Sequence, residues 1–460
     1  MLNTLRNHRL LVILAGALLL RLLVFVLFRP WEVHVQDESI LIFDARGYHR
    51  LALCIVDSLT LCGDTFRTPG YPFFLAIFYK LFGAKPWMAL LGQIPVDLVS
   101  IYFLFRIGEL IQSRSVATIS ATLLAIDPNT VFAATNLYSD GLFVAFLMAS
   151  LYFFLRGIKE PLIYRNMLIS GFLLGLAALV RPVAQYYVLL LLLFTVFWPN
   201  RGIARNSKSA ILYVIAFMIA ICPWLYRNYD LYGTAKLSSI QGDNLLFWQV
   251  AYTRAWETKQ SGAAVNAELM TQAEASGYLK DGNPFLNEAI TQKIAVAYVK
   301  THPVIYAHRW LSGMLHIYAN LDTADIVLKL GWKPTRLSMD TMFADEGETK
   351  LMTNFFKQKS ASEIGAGLVV LPFLLASYTA ALLGAITMVR SGRIALVLLF
   401  LVSILYFTAT GGPIGLARFR LPITPFYLLM AAVFIDQLLR RRQSEAPTPA
   451  FAAERAPPPL

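Results

Sequence analysis

Apolar residues fall in long blocks, separated by short basic connections and by two longer stretches of mixed polarity. A helix needs about 20 apolar residues to cross ~30 Å of hydrocarbon. On that measure spans are predicted at roughly 10–29, 87–106, 115–134, 141–157, 167–180, 183–199, 210–226, 366–389, 394–411 and 418–438, about ten in all. The first block, Leu10 to Phe28, follows Arg6 and Arg9; it is too long for a signal-peptide core and lacks a small-residue cleavage site, so it reads as a retained helix. Gly70 to Phe82 is apolar but short and flanked by prolines. It reads as a re-entrant or interfacial helix, because counting it as a crossing would invert the charge pattern downstream.

The polar stretches carry patterns of their own. In the loop 30–86, Tyr48, Leu51, Ile55 and Leu59 fall on one helical face, as in an amphipathic helix lying on a membrane surface. In the segment 228–365 a helix is expected to begin at Asn283-Pro284, with Asn as N-cap and Pro in the first turn. A second, around Val304 to Tyr318, carries His308, Arg309 and His316 among aromatics and reads as interfacial. No internal repeat and no separate core are evident. The organisation is therefore an N-terminal membrane module at 1–227 that includes the loop 30–86, an outer segment at 228–365, C-terminal spans at 366–438 and a Pro/Ala-rich disordered tail at 439–460.

Composition agrees with an all-α polytopic membrane protein. Of 460 residues, 57% are apolar and only 15% charged, with a mean hydropathy of +0.57. The formal charge of +12 could suggest nucleic acid, but the bases lie in short loops. With a cytoplasmic N-terminus the inner loops collect Arg6, Arg9, Arg106, Arg114, Arg156, Lys159, Arg165, Arg201, Arg205, Lys208, Arg390, Arg393 and Arg440–Arg442, satisfying the positive-inside rule. An even count of spans returns the C-terminus to the cytoplasm, and a nucleic-acid partner is excluded in favour of membrane lipids.

The bases that break the rule are more informative. Arg67, Arg181, Arg227, Arg418 and Arg420 fall at the outer edge from four separate places in the chain, and guanidinium suits bidentate contact with phosphate. Their alternative use is interfacial snorkelling, or pairing with acids such as Asp140. Asp44 stands just outside the first span, in Phe43-Asp44-Ala45-Arg46-Gly47-Tyr48. A carboxylate and guanidiniums held there, in a chain poor in charge, suggest a site for a lipid-linked phosphate ester. Inside the first span Arg21 needs a partner or a wet cavity, since an arginine at mid-membrane costs about 3 kcal/mol or more. Asp97 raises the same question, and either a structural Arg21–Asp97 pair or a substrate role would answer it. Cys54 and Cys62 share the first outer loop and could pair in an oxidising compartment or simply pack as thiols. Gly411-Gly412-Pro413-Ile414-Gly415 follows no predicted strand, so it is a turn and not a nucleotide loop. No His/Cys cluster has zinc spacing.

Six segments in order carry a resemblance: Asp44…Tyr48; Arg67-Thr-Pro-Gly-Tyr71-Pro; Asn136-Leu-Tyr-Ser-Asp140; Gly171…Gly175…Arg181-Pro182; Pro223-Trp224-Leu-Tyr-Arg227-Asn228; and Arg418-Phe-Arg420-Leu-Pro422. Over about residues 10 to 438 the chain resembles the bacterial branch of the GT-C membrane glycosyltransferases, the dolichyl-phosphate-mannose-protein mannosyltransferase-like and aminoarabinose transferase-like enzymes. The resemblance implies a GT-C fold in a bacterial cytoplasmic membrane, an outward-facing site, a polyprenyl-phosphate-linked sugar donor, a lipid, glycan or protein acceptor, and inverting transfer. It assigns Asp44 as the catalytic acid of the first loop and Arg67 as a donor-phosphate contact. Asp140 stands where relatives carry Glu, one methylene longer, and is a second catalytic candidate. Tyr48, Tyr71, Arg21 and Asn228 are candidate supporting residues. Relatives often carry a second acid after the first; here Ala45 stands there, which disfavours a two-carboxylate metal site in this loop, and no cofactor is firmly implied. As general base Asp44 would be raised in pKa by low dielectric and lowered by neighbouring arginines. The alternative function is a transporter or flippase for lipid-linked sugars, which would show inverted repeats and broken helices at mid-membrane.

Overall fold

The computed structural model describes residues 2–159, 163–198, 202–332, 335 and 359–445. The expected tail beyond 445, Arg201 and the stretch 336–358 of the outer segment lie outside the described residues. Every regular element among the described residues is helical. In chain order these are α1 (Leu2–Phe28), α2 (Asp44–Ser58), α3 (Gly70–Phe82), α4 (Pro86–Ile111), α5 (Arg114–Ile126), α6 (Pro128–Ala133), α7 (Asp140–Lys159), α8 (Ile163–Val180), α9 (Ala184–Phe197) and α10 (Ile203–Tyr232). The outer segment adds α11 (Ala251–Thr258), α12 (Gly262–Ala275), α13 (Pro284–Thr301), α14 (Pro303–Ala319) and α15 (Thr323–Lys329). The chain then returns through α16 (Ala361–Arg390), α17 (Ile394–Ala409) and α18 (Thr424–Glu445).

Among the described residues six helices are long and apolar enough to cross a membrane: α1, α4, α7, α8, α10 and α16. Helices α3, α5, α9 and α17 are apolar but shorter. The block expected as one span at 115–134 is broken, because Asp127 caps a new helix: its carboxylate accepts the Thr130 N–H at 2.9 Å, and Pro128 holds the residue before it out of the helical region. The last span starts at Thr424 instead of 418, since residues 417–420 form a 3-10 turn. Helix α2 buries Leu51, Ala52 and Ile55 as its periodicity predicts, but Leu59 sits past its end in a left-handed conformation and is exposed. Helix α13 begins at Pro284 with Asn283 accepting the Phe285 N–H, as expected. The outer segment also contains a small core of its own, around Leu246, Val250, Val265, Leu269 and Ala295, which the sequence pattern did not reveal.

Small residues set the closest helix contacts. A Cβ on Gly171 would lie 2.1 Å from the Tyr213 carbonyl and one on Gly175 2.5 Å from the Ala220 methyl, so α8 and α10 touch backbone to backbone. Arg21 and Asp97 form a buried ion pair between α1 and α4, and Arg21 also donates to the Ala125 carbonyl at 3.0 Å. The bland alternative for this intramembrane arginine is therefore the one the structure adopts.

Candidate active site

The alternating direction of the helices brings distant residues to one end. Asp44 opens α2, Asp140 opens α7, Arg181 follows α8, Arg227 lies near the end of α10 and Arg418 precedes α18. The opposite end is tied by polar contacts such as Gln112 Nε2 to Asp436 at 3.3 Å and Lys159 Nζ to the Leu110 carbonyl at 2.8 Å.

Local structure holds Asp44 in place. Phe43 adopts φ 47°, ψ −125°, a strained conformation that costs of order 1–3 kcal/mol and is typical of functional turns. The Asp44 carboxylate then faces two arginines: Oδ2 accepts from Arg418 Nη2 at 2.7 Å and Oδ1 from Arg67 Nη2 at 3.4 Å. The Asp44 side chain is 37% exposed, so the pairs are reachable from outside. Burial raises the pKa of Asp44, but Arg418, then Arg67 and Arg181, outweigh it and hold the carboxyl below its ordinary value of 3.8.

Each arginine is braced on aromatic rings. The Arg67 guanidinium lies 5.2 Å from the Tyr48 centroid and 5.3 Å from Phe66, and it rests directly on Gly47, where a Cβ would stand 2.4 Å from Cζ. Arg418 lies 4.8 Å from the Tyr138 ring. The Gly411–Gly415 turn that delivers Arg418 is pressed onto α14: a Cβ on Gly415 would meet the Gly313 carbonyl at 2.5 Å. Arg181 forms an ion pair with the buried Asp140 carboxylate. Three guanidiniums (Arg67, Arg181, Arg418) thus face two carboxylates (Asp44, Asp140), a net of one positive charge.

Beside this cluster a groove of about 930 Å³ opens between α3, α7, α8 and α10. Phe73, Ile77, Leu142, Phe146 and Leu179 line it, with Arg227 and Tyr232 also in its wall. Arg227 stacks 4.6 Å from Trp224 and donates to Asn228 Oδ1 at 2.8 Å; Asn228 in turn donates to the Lys236 carbonyl at 2.8 Å. The groove is apolar along its length and cationic at one point, which suits an amphiphile with an anionic head.

The profile of the dolichyl-phosphate-mannose-protein mannosyltransferase family matches residues 67–226, which contain Arg67, Asp140 and Arg181 and most of the groove. Among solved structures, the apo oligosaccharyltransferase from Archaeoglobus fulgidus superposes over 95% of this chain with TM-score 0.53 at 14% identity. The chain has the GT-C fold. The same archaeal enzyme, AglB, in complex with an inhibitory peptide and a dolichol-phosphate, matches with TM-score 0.50, 14% identity and the same 95% of this chain. This GT-C chain spans about half of it, 52%. ArnT from Cupriavidus metallidurans bound to undecaprenyl phosphate aligns at 16% identity over 96% of this chain and 81% of its own, with TM-score 0.39. No curated protein matches the chain.

Within this GT-C chain the structure gathers Asp44, Arg67, Arg181, Arg418 and Asp140. Tyr48 joins them through its stacking on Arg67 and its hydroxyl 3.1 Å from Ser139. Tyr71 stands behind Tyr48, buried, and donates to Gln93 at 2.8 Å. Three assignments change. Arg420 is fully buried and donates to the carbonyls of Ile317 and Asn320, each at 2.9 Å, closing the C-terminal end of α14 instead of facing Asp44. Arg21 is taken up by Asp97. Asp140 is occupied by Arg181, which makes it a support for that cation and leaves Asp44 as the carboxylate with exposed surface. Cys54 and Cys62 form a disulfide with Cα atoms 5.9 Å apart. Among the described residues no three His, Cys, Asp or Glu side chains gather where one metal ion could sit. Sequence reasoning missed Asp64, which accepts the Arg67 N–H at 3.0 Å, and Tyr138, which carries Arg418. An acid three residues before Arg67 is a local signal for the first; nothing local marks the second.

Proposed function

We propose that the chain is a glycosyltransferase that moves a sugar from a polyprenyl-phosphate carrier to a lipid, glycan or protein acceptor at the outer face of a bacterial cytoplasmic membrane. The observation that carries this reading is a two-arginine clamp on a reachable carboxylate beside an apolar groove. In this reading the prenyl chain lies along Phe73, Ile77 and Phe146, and the phosphate meets Arg67 and Arg418, with Arg227 at the groove wall. Displacing the phosphate from the anomeric carbon leaves growing negative charge on its oxygens, and guanidiniums already in place stabilise that charge without reorganising. Asp44 takes the proton of the acceptor hydroxyl or amine as it attacks, and attack opposite the phosphate inverts the anomeric centre.

The depressed pKa of Asp44 is at odds with a base only while the site is empty. An arriving phosphate competes for Arg67 and Arg418, and each guanidinium it takes returns basicity to the carboxylate. Substitution of Asp44 by Asn tests the reading. Transfer should fall about 10²–10⁴-fold, the usual worth of a general base, while the carrier phosphate still binds. Retained transfer would remove Asp44 from the chemistry.

A further inference from the structure

The loop between α2 and α3 contains a residue on which both groove-side arginines converge. Asp64 Oδ1 accepts the Arg67 backbone N–H at 3.0 Å, and the Asp64 carbonyl accepts from Arg227 Nη1 at 3.1 Å. The second carboxylate oxygen accepts from Arg50 at 3.3 Å, and Arg50 is itself exposed while the Asp64 side chain is 9% exposed. The same loop is tied back to the last turns of α2 by the Cys54–Cys62 disulfide, which links residues eight apart and ends two residues before Asp64. It is also fastened to the end of α10 and to the residues just beyond that helix: Tyr232 Oη donates to the Gly63 carbonyl at 2.5 Å, Ser238 Oγ to the Phe66 carbonyl at 2.6 Å and the Ser239 N–H to the Thr65 carbonyl at 3.0 Å. Leu59, Thr60, Leu61 and Gly63 of this loop form part of the groove wall.

We infer that Asp64 is a positioning residue. Through the disulfide-tied loop it sets the separation of Arg67 and Arg227, and with it the grip on a phosphate at the head of a polyprenyl chain. This rests on the donor reading above. The physical reason is that long arginine side chains lose much rotamer entropy when they bind. The Asp64 carboxylate fixes the backbone from which the Arg67 side chain departs, and its carbonyl holds the Arg227 guanidinium, which removes part of that cost before the ligand arrives. A covalent tie from the loop to α2 limits how far Asp64 can drift when its hydrogen bonds open.

The test titrates undecaprenyl phosphate into the full chain in detergent, followed by tryptophan fluorescence, since Trp224 lines the groove. Asp64→Ala should weaken binding about tenfold, the worth of one hydrogen bond to a charged group. Asp64→Asn keeps an oxygen acceptor for the Arg67 N–H and should stay within about threefold of the parent. Dithiothreitol reduces the Cys54–Cys62 bond to two thiols while itself closing to a cyclic disulfide. On the folded parent it should weaken binding in the same direction as Asp64→Ala, and it should add little to that variant, because both act through one loop. A Cys54→Ser/Cys62→Ser protein should match the reduced parent and ignore the reagent. If Asp64→Ala does not fold, the reduction of folded parent decides. Reduced parent binding as tightly as oxidised parent, or Asp64→Asn binding as weakly as Asp64→Ala, overturns the inference and leaves the donor reading standing. Parent that does not bind undecaprenyl phosphate overturns both.

Discussion

Gly47→Ala separates a local gain from a functional loss. Gly47 lies in the first turn of α2, and its φ is not in the left-handed region, so alanine fits the backbone. Removing a helical glycine stabilises by about 0.5–1 kcal/mol. The added methyl, however, would stand 2.4 Å from Arg67 Cζ and 2.6 and 2.7 Å from its two Nη atoms. Ordinary contact requires about 3.4–4 Å, so the guanidinium must lift by about 1 Å. Its Nη2 already sits 3.4 Å from Asp44 Oδ1, and a further retreat ends that bond and the packing on Tyr48. The lost pair is partly exposed and is worth about 0.2–1 kcal/mol. The larger effect falls on the ligand, because a hydrogen bond to a charged group contributes about 1.5–3 kcal/mol. Arginine is flexible and recovers part of this, so undecaprenyl phosphate should bind about tenfold more weakly. Thermal unfolding in detergent should occur at or above the parent temperature. Calorimetric titration read beside the melting curve checks both signs together. Unchanged or tighter binding in a stabilised variant would refute the placement of Arg67 on the phosphate.

The same geometry sets other expected outcomes. Asp44→Asn should bind undecaprenyl phosphate at least as tightly as the parent in an equilibrium titration, because Arg67 and Arg418 lose their competing carboxylate. The pKa of Asp44 is depressed in the fold, so its ion pairs stabilise above the ordinary value of 3.8 and that stability is lost as pH falls through the lower folded value; the melting difference between parent and Asp44→Asn should be level from pH 8 to pH 5 and shrink only below about 4. Arg21→Met should destabilise by about 3–5 kcal/mol by leaving the Asp97 carboxylate buried and unpaired, whereas Arg21→Met with Asp97→Leu should recover most of it; denaturation in detergent measures both.

Much of the fold was legible because spans are written in composition. Blocks such as 141–157 and 210–226 need no partner to be recognised, and Arg21 announced its need for a counter-charge by its position alone. What failed did so for local reasons. The cap at Asp127 and the proline after it outweighed the apolar run at 115–134, and Leu59 fell outside α2 because the helix ends one residue earlier. At the site, the outer-edge arginines were visible as exceptions to the topology rule, yet Arg418 and Arg420 are two residues apart and have opposite fates. On the 3-10 turn one side chain reaches Asp44, 374 residues away in sequence, and the other turns inward to the end of α14. No spacing rule distinguishes them, because the difference lies in what each side chain meets in the fold: Asp44 for Arg418 and the carbonyls at the end of α14 for Arg420.

That inward turn bears on why the site holds more cations than anions. A guanidinium buried without a partner is expensive, and Arg420 offsets part of that cost by donating from Nη1 to carbonyls, while its Nε and Nη2 stay buried without a hydrogen-bond partner among the described residues. Arg67, Arg181 and Arg418 are instead held by two carboxylates and five aromatic rings, Tyr48, Phe66, Phe143, Tyr138 and Phe419. Ring faces stabilise a cation without consuming its hydrogen bonds, so N–H groups remain to be given. Ala45, next to Asp44, is fully buried in the apolar core, so a third carboxylate there would be a buried charge and not an exposed member of the cluster. The cluster therefore keeps its excess positive charge, with Asp44 as the carboxylate that has exposed surface. The substitution Ala45→Asp puts this burial to measurement: the melting temperature in detergent should fall by several degrees, the mark of about 1–3 kcal/mol or more lost to a buried charge. An unchanged melting temperature would mean that an acid at this position reaches solvent or a guanidinium and that the core does not enclose it.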